Sequence, residues 1–248
     1  MRIVTRAYEA LPRLVHLTLF ILVASMFMSP VARAAPAAGE RLILAFGDSL
    51  TAGYRLKPTE SFPAQLEALL RAEGHKVRVH NAGVSGDTTT GGKNRLGWVL
   101  AGLKQKPDLA ILELGANDML RGQSPRITQS NLDSMLGEFR KRGIPVVLAG
   151  MFASQNLGVR YFDEFNAIYP TLAKKHGATL YPFFMKGVVF NKPLLLDDGI
   201  HPNRQGVAII AKNMLPTVKA ELQKLPAPKP TPTVIAPKAA SAPAVRRD

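Results

Sequence analysis

The feature that most constrains this 248-residue chain is an alternation of short, largely apolar runs with longer amphipathic stretches. Residues 42–46, 77–81, 109–114, 146–150 and, more weakly, 179–181 read as strands. Successive side chains of a strand point to opposite faces, so a run apolar throughout has to be covered on both sides. Between the runs, apolar residues follow helical spacing. Leu132, Met135, Leu136 and Phe139 form one such stripe, and Phe165, Ile168, Tyr169 and Leu172 form another within one expected helix. A last helix is expected from 205 to 222, and Asp87 with the threonines behind it is expected to cap a helix running towards Leu103. Strand–helix alternation with short links predicts the α/β class: a single-domain, three-layer α/β/α fold on a mainly parallel five-stranded sheet. Ligand chemistry in such sheets gathers at the carboxyl ends of the strands.

The two ends of the chain fall outside this pattern. Residues 1–34 carry Arg2, Arg6 and Arg13, then a 15-residue apolar stretch from Leu14 to Met28, then Ala32-Arg33-Ala34 as a small-x-small cleavage site. That order reads as a secretory signal, and the apolar stretch is short for a membrane span of about 20 residues. The expectation is an exported, periplasmic protein, with an uncleaved leader acting as a membrane anchor as the alternative. A short linker at 35–39 leads into a domain at 40–225. Residues 226–248 are dominated by Pro, Ala and Lys, a composition that reads as a disordered tail.

The chain has no cysteine, which excludes disulfides, thiolate metal sites and a cysteine nucleophile. Its formal charge of +14 divides into +3 on the leader, +3 on the tail and +8 on the domain. The balance suits transient contact with an anionic membrane surface. No basic stripe interleaved with aromatics is present, so a nucleic-acid partner is not expected. No obligate protein partner is evident.

The chemistry-bearing residues sit at strand ends. Ser49, in Gly47-Asp48-Ser49-Leu50, follows the first strand, where a hydroxyl is held rigidly yet within reach of a ligand. His201, in Asp198-Gly199-Ile200-His201-Pro202, is the natural base, since imidazole titrates near neutral pH. Asp198, three residues earlier, is placed to orient the ring, with Asp197 as its rival. Oxyanion donors are also needed. Candidates are the backbone N–H of Ser49, the backbone N–H of Gly83 in the loop after the second strand, and the side-chain amide of Asn117.

Four blocks in order, Gly47-Asp48-Ser49-Leu50, Gly83, Gly115-Ala116-Asn117-Asp118 and Asp198-Gly199-Ile200-His201-Pro202, resemble the SGNH, or GDSL, hydrolases. The resemblance spans most of residues 41–218. It is nearest the bacterial thioesterase I/protease I/lysophospholipase L1 branch, which includes arylesterases. It implies a flavodoxin-like sheet, Ser49 as nucleophile, His201 as base, Asp198 as its partner, and Ser49, Gly83 and Asn117 as the oxyanion hole. Ala116 stands where close relatives often have Gly.

Rival motifs fail in register. The elbow G-x-S-x-G is absent, and Gly91-Gly92-Lys93-Asn94 lacks the Gly-Lys-Ser/Thr order of a phosphate loop. The implied activity is hydrolysis of small acyl esters, thioesters or lysophospholipids through an acyl-enzyme, with no metal and no cofactor. Phe152, Leu157 and Val159, in the connection at 151–160, are candidates for an acyl pocket. A carbohydrate O-deacetylase with the same residues and a non-catalytic cell-envelope binding module are the competing readings.

Overall fold

Residues Ile43 to Phe46 lose essentially all solvent contact, and this sets the centre of the fold. They belong to β1 (Arg41–Gly47) in a computed structural model that describes residues 39–227. The expected leader at 1–34 lies outside the described residues. So do the linker apart from Gly39 and the tail apart from Pro226 and Ala227. The remaining strands are β2 (Val77–Gly83), β3 (Leu109–Glu113), β4 (Val146–Ala149) and β5 (Thr179–Tyr181). All pair in parallel in the order β2-β1-β3-β4-β5. The five expected strands are all present, with ends shifted by a residue or two. Every residue of β3 and β4 is buried. Edge strand β2 instead alternates, with Val77 and Val79 buried and Arg78 and His80 half-buried.

The helices are α1 (Ser49–Ala52), α2 (Phe62–Ala72), α3 (Thr89–Gly102), α4 (Ala116–Leu120), α5 (Pro125–Lys141), α6 (Val159–Asn166), α7 (Ile168–His176) and α8 (Arg204–Lys224). Helix α2 packs on α8 to make one layer, while α3, α5 and α7 pack in succession to make the other. The chain leaves β1 outwards to β2 and returns past β1 to β3 on its other side. The winding therefore reverses between β1 and β3, which opens a crevice at their carboxyl ends.

One local expectation is corrected and one is narrowed. The stripe from Phe165 to Leu172 does not lie on one helix, because α6 ends at Asn166 and α7 begins at Ile168. Pro170 is the cause. It has no N–H for the Asn166 carbonyl and its ring crowds that carbonyl, so it fits only the first turn of a new helix. The Asn166 side chain is held in turn, its Oδ1 accepting from Ala153 N–H at 2.8 Å. Of Asp87 and the threonines expected to cap α3, Thr88 is the N-cap, accepting from Gly91 N–H, while Asp87 pairs with Arg95.

Candidate active site

At the end of β1 the Asp48 side chain caps α1, its Oδ1 accepting from Leu50 N–H at 2.9 Å. This sets Ser49 as the first residue of a one-turn helix beside the crevice. The opposing loop is fixed from both sides. Asn203 caps α8 by accepting from Gln205 and Gly206 N–H, and Leu196 N–H donates to His201 O at 2.8 Å. Asp198 Oδ1 accepts from the N–H groups of Ile200 and His201 at 2.9 and 3.0 Å, and Oδ2 meets His201 Nδ1 at 2.8 Å. His201 Nε2 lies 2.9 Å from Ser49 Oγ. A carboxylate only accepts, so Nδ1 carries the ring proton and Nε2 is left to accept from the Ser49 hydroxyl. Partial burial raises the Asp198 pKa, but the hydrogen bonds from His201 and Ile200 outweigh it and bring the carboxyl down to about 2. Asp198, and not Asp197, meets the imidazole. The Tyr54 ring packs against the imidazole with centroids 4.4 Å apart.

The three candidate donors gather around the same turn, in different states. Ser49 N–H has no acceptor among the described residues. Gly83 is the last residue of β2 and not a loop residue, in register with Gly47 of β1, because the edge strand runs on two residues past its apolar stretch. Its N–H donates to Asn81 Oδ1 at 3.0 Å. A Cβ at this position would strike Ala52 N and lie 2.7 Å from Ala52 Cα and 2.8 Å from Asp48 O, so glycine is required by close approach. Asn117, in α4, donates its amide to Asp87 O at 2.9 Å and to Asp48 Oδ2 at 3.1 Å.

Residues 45–209 match the GDSL-like Lipase/Acylhydrolase family. The chain belongs to that family. It is 40% identical over 179 residues to an arylesterase of Vibrio mimicus, covering 72% of this chain and 88% of that one. It is 38% identical over 182 residues to esterase TesA of Pseudomonas aeruginosa, covering 73% and 90%. Among solved structures it is similar to AlinE4, an SGNH-hydrolase family esterase, with 48% identity, a TM-score of 0.63, and coverage of 76% of this chain and 98% of the other. Membership makes the protein an ester-cleaving hydrolase.

Beneath the Ser49 turn, this hydrolase buries Asp48 and Glu113. Burial pushes the Asp48 carboxyl up to about 7, against the pull of the Leu50 N–H and the Asn117 amide, with the charges of Asp87 and Asp118 adding to the rise. Burial, joined by the nearby Asp48, lifts Glu113 well above the usual carboxyl range; Thr51 Oγ donates to its Oε2 at 2.7 Å. Asp118, part of the Asn117 block, is a fully buried hub. It accepts from Thr89 N–H and Oγ, Gln123 and Thr128, and so ties the starts of α3 and α5 to the Asn117 turn.

The three pocket candidates do not form one lining. Phe152 is half-exposed and stacks on Phe183 with centroids 4.9 Å apart. Leu157 and Val159 line a separate open cavity of about 640 Å³ with Ser124, Arg126 and Tyr161. The sequence reading missed Arg95 altogether. Its guanidinium donates to Gly47 O, Ala82 O and Asp87 Oδ2, all next to the four blocks.

Proposed function

We propose that this protein is an exported serine esterase that hydrolyses aryl and short-to-medium acyl esters, with acyl thioesters and lysophospholipids in the same range. The observation that carries this reading is the unbroken hydrogen-bonded chain from Ser49 through His201 to Asp198, at 2.9 and 2.8 Å. Ser49 Oγ attacks the acyl carbonyl while His201 Nε2 takes its proton. The bond to the leaving oxygen or sulfur then breaks, and His201 returns the proton to the departing alcohol or thiol. Water attacks the acyl-enzyme with His201 again as base, freeing the carboxylic acid and restoring Ser49.

The developing oxyanion meets Ser49 N–H first, since that donor is free. Gly83 N–H and the Asn117 amide join it, because a charged oxygen is a stronger acceptor than the neutral Asn81 amide oxygen or the Asp87 carbonyl that otherwise holds them. The apolar part of the substrate rests on exposed carboxyl-edge side chains such as Tyr54, Val84, Leu120 and Phe152. The same apolar edge, in a chain of formal charge +14, supports transient contact with an anionic lipid surface. Export rests on the leader pattern at 1–34, and N-terminal sequencing of the periplasmic protein tests it. The catalytic reading is tested by labelling with a fluorophosphonate and mapping the adduct. The expected result is modification of Ser49 alone, with loss of both label and turnover in Ser49→Ala. A label elsewhere, or full activity in that variant, refutes it. A panel of graded acyl esters against acetylated sugars then separates esterase from O-deacetylase.

A further inference from the structure

Resting on the Ser49 reading, we propose that Arg95 is a positioning residue that holds the oxyanion donors in register across three separate chain segments. Arg95 lies in α3, and each edge of its guanidinium meets a different segment. Nη2 donates to Gly47 O at 2.9 Å, two residues before Ser49. Nη1 donates to Ala82 O at 2.8 Å, one residue before Gly83. Nε pairs with Asp87 Oδ2 at 2.6 Å, and the carbonyl of Asp87 is the acceptor of the Asn117 amide at 2.9 Å. One rigid plane thus touches the chain beside each of the three candidate donors.

An ion pair alone would need only Asp87. The two carbonyl contacts engage both terminal nitrogens of the fork, whose N–H groups a planar guanidinium offers in fixed directions. The plane is itself located, since Arg95 Cζ sits 3.9 Å from the centroid of Phe46, the β1 residue before Gly47. The side chain is only 18% exposed, which shields these bonds from competing water. Helix α3 comes close enough to deliver it because Gly92 has no Cβ. One there would strike Leu114 and lie 3.3 Å from the Phe46 ring.

Donor placement is a transition-state property, so loosening it lowers kcat and leaves substrate binding nearly unchanged. Misplacement by 1 Å costs about 100-fold. Arg95→Met is therefore expected to lose on the order of 100-fold in kcat on a p-nitrophenyl ester, with KM within about threefold. Its rate of fluorophosphonate inactivation should fall by the same factor as kcat/KM. Arg95→Lys keeps a charge without the three-way fork, and it should remain within about tenfold of Arg95→Met. Guanidinium chloride at low millimolar concentration should restore part of the turnover of Arg95→Ala. Unchanged kcat in Arg95→Met well below its melting temperature, or a loss confined to stability, overturns the inference. If Arg95→Met does not fold, Arg95→Lys decides it by the same kcat and KM comparison. Wild-type labelling at Ser49 is measured first. Its absence overturns the Ser49 reading and this inference together, whereas a labelled wild type beside fully active Arg95 variants overturns the inference alone.

Discussion

Gly83→Ala adds one methyl group where β2 meets the turn carrying Ser49, the proposed nucleophile. The new Cβ would lie 2.7 Å from Ala52 Cα and 2.8 Å from Asp48 O, whereas apolar contacts settle at about 3.5–4.0 Å. The overlap is therefore about 1 Å, and the atoms it meets are backbone, so no side-chain rotation relieves it. Either the end of β2 or the turn carrying Ser49 has to move. Inserting a methyl into a packed site costs about 1–3 kcal/mol, and a shift of about 1 Å between nucleophile and donors costs about 100-fold in turnover. The expected result is a lowered urea midpoint together with a kcat reduced on that order on a p-nitrophenyl ester. KM should change little, and the loss should persist at temperatures where the variant is fully folded. A variant with wild-type midpoint and kcat within about twofold would refute the close approach of β2 to the nucleophile turn.

Two further predictions concern the same network. Asn117→Ala removes a candidate oxyanion donor and leaves Asp48 Oδ2 and Asp87 O without it, so kcat should fall about 10²–10³-fold with about 1–3 kcal/mol of stability lost; unchanged turnover removes Asn117 from the mechanism. Burial raises the Asp48 carboxyl to about 7 and Glu113 well above its usual range, so the folded state holds protons that the unfolded chain releases near pH ~4. The stability that the protonated Asp48 contributes is fully present below about pH 4 and is lost as pH rises from there through about 7. Relative to Asp48→Asn, wild type should therefore lose stability between about pH 4 and pH 7 in urea titrations, and a difference independent of pH would count against a buried, protonated Asp48.

The sheet and the reacting groups were legible because each carries a mark that chemistry or packing imposes. β1 and β3 are buried on both faces, so residues 42–46 and 109–112 within them read as continuous apolar runs. Ser49, His201 and Asp198 stood out because acyl transfer needs those residue types, and the structure brings them into one hydrogen-bonded chain. The break at Ala167 was masked, since Phe165, Ile168, Tyr169 and Leu172 keep helical spacing straight across it. Pro170 was the signal. Arg95 left almost no trace, because two of its three partners are backbone carbonyls and any residue type supplies those. The capture of Gly83 N–H by Asn81 was hidden for a related reason, as an asparagine two residues before a glycine reads as an ordinary turn.

Ser49 and His201, the proposed nucleophile and base, are separated by 152 positions along the chain. A polypeptide still emerging from a ribosome or a translocation channel holds its serine long before it holds its histidine. On the proposed mechanism such a chain would be catalytically silent until the segment carrying His201 has docked. Recovery of turnover during refolding should accordingly lag behind the gain of backbone order, and cleavage of esters becomes a marker for arrival of the last structural element.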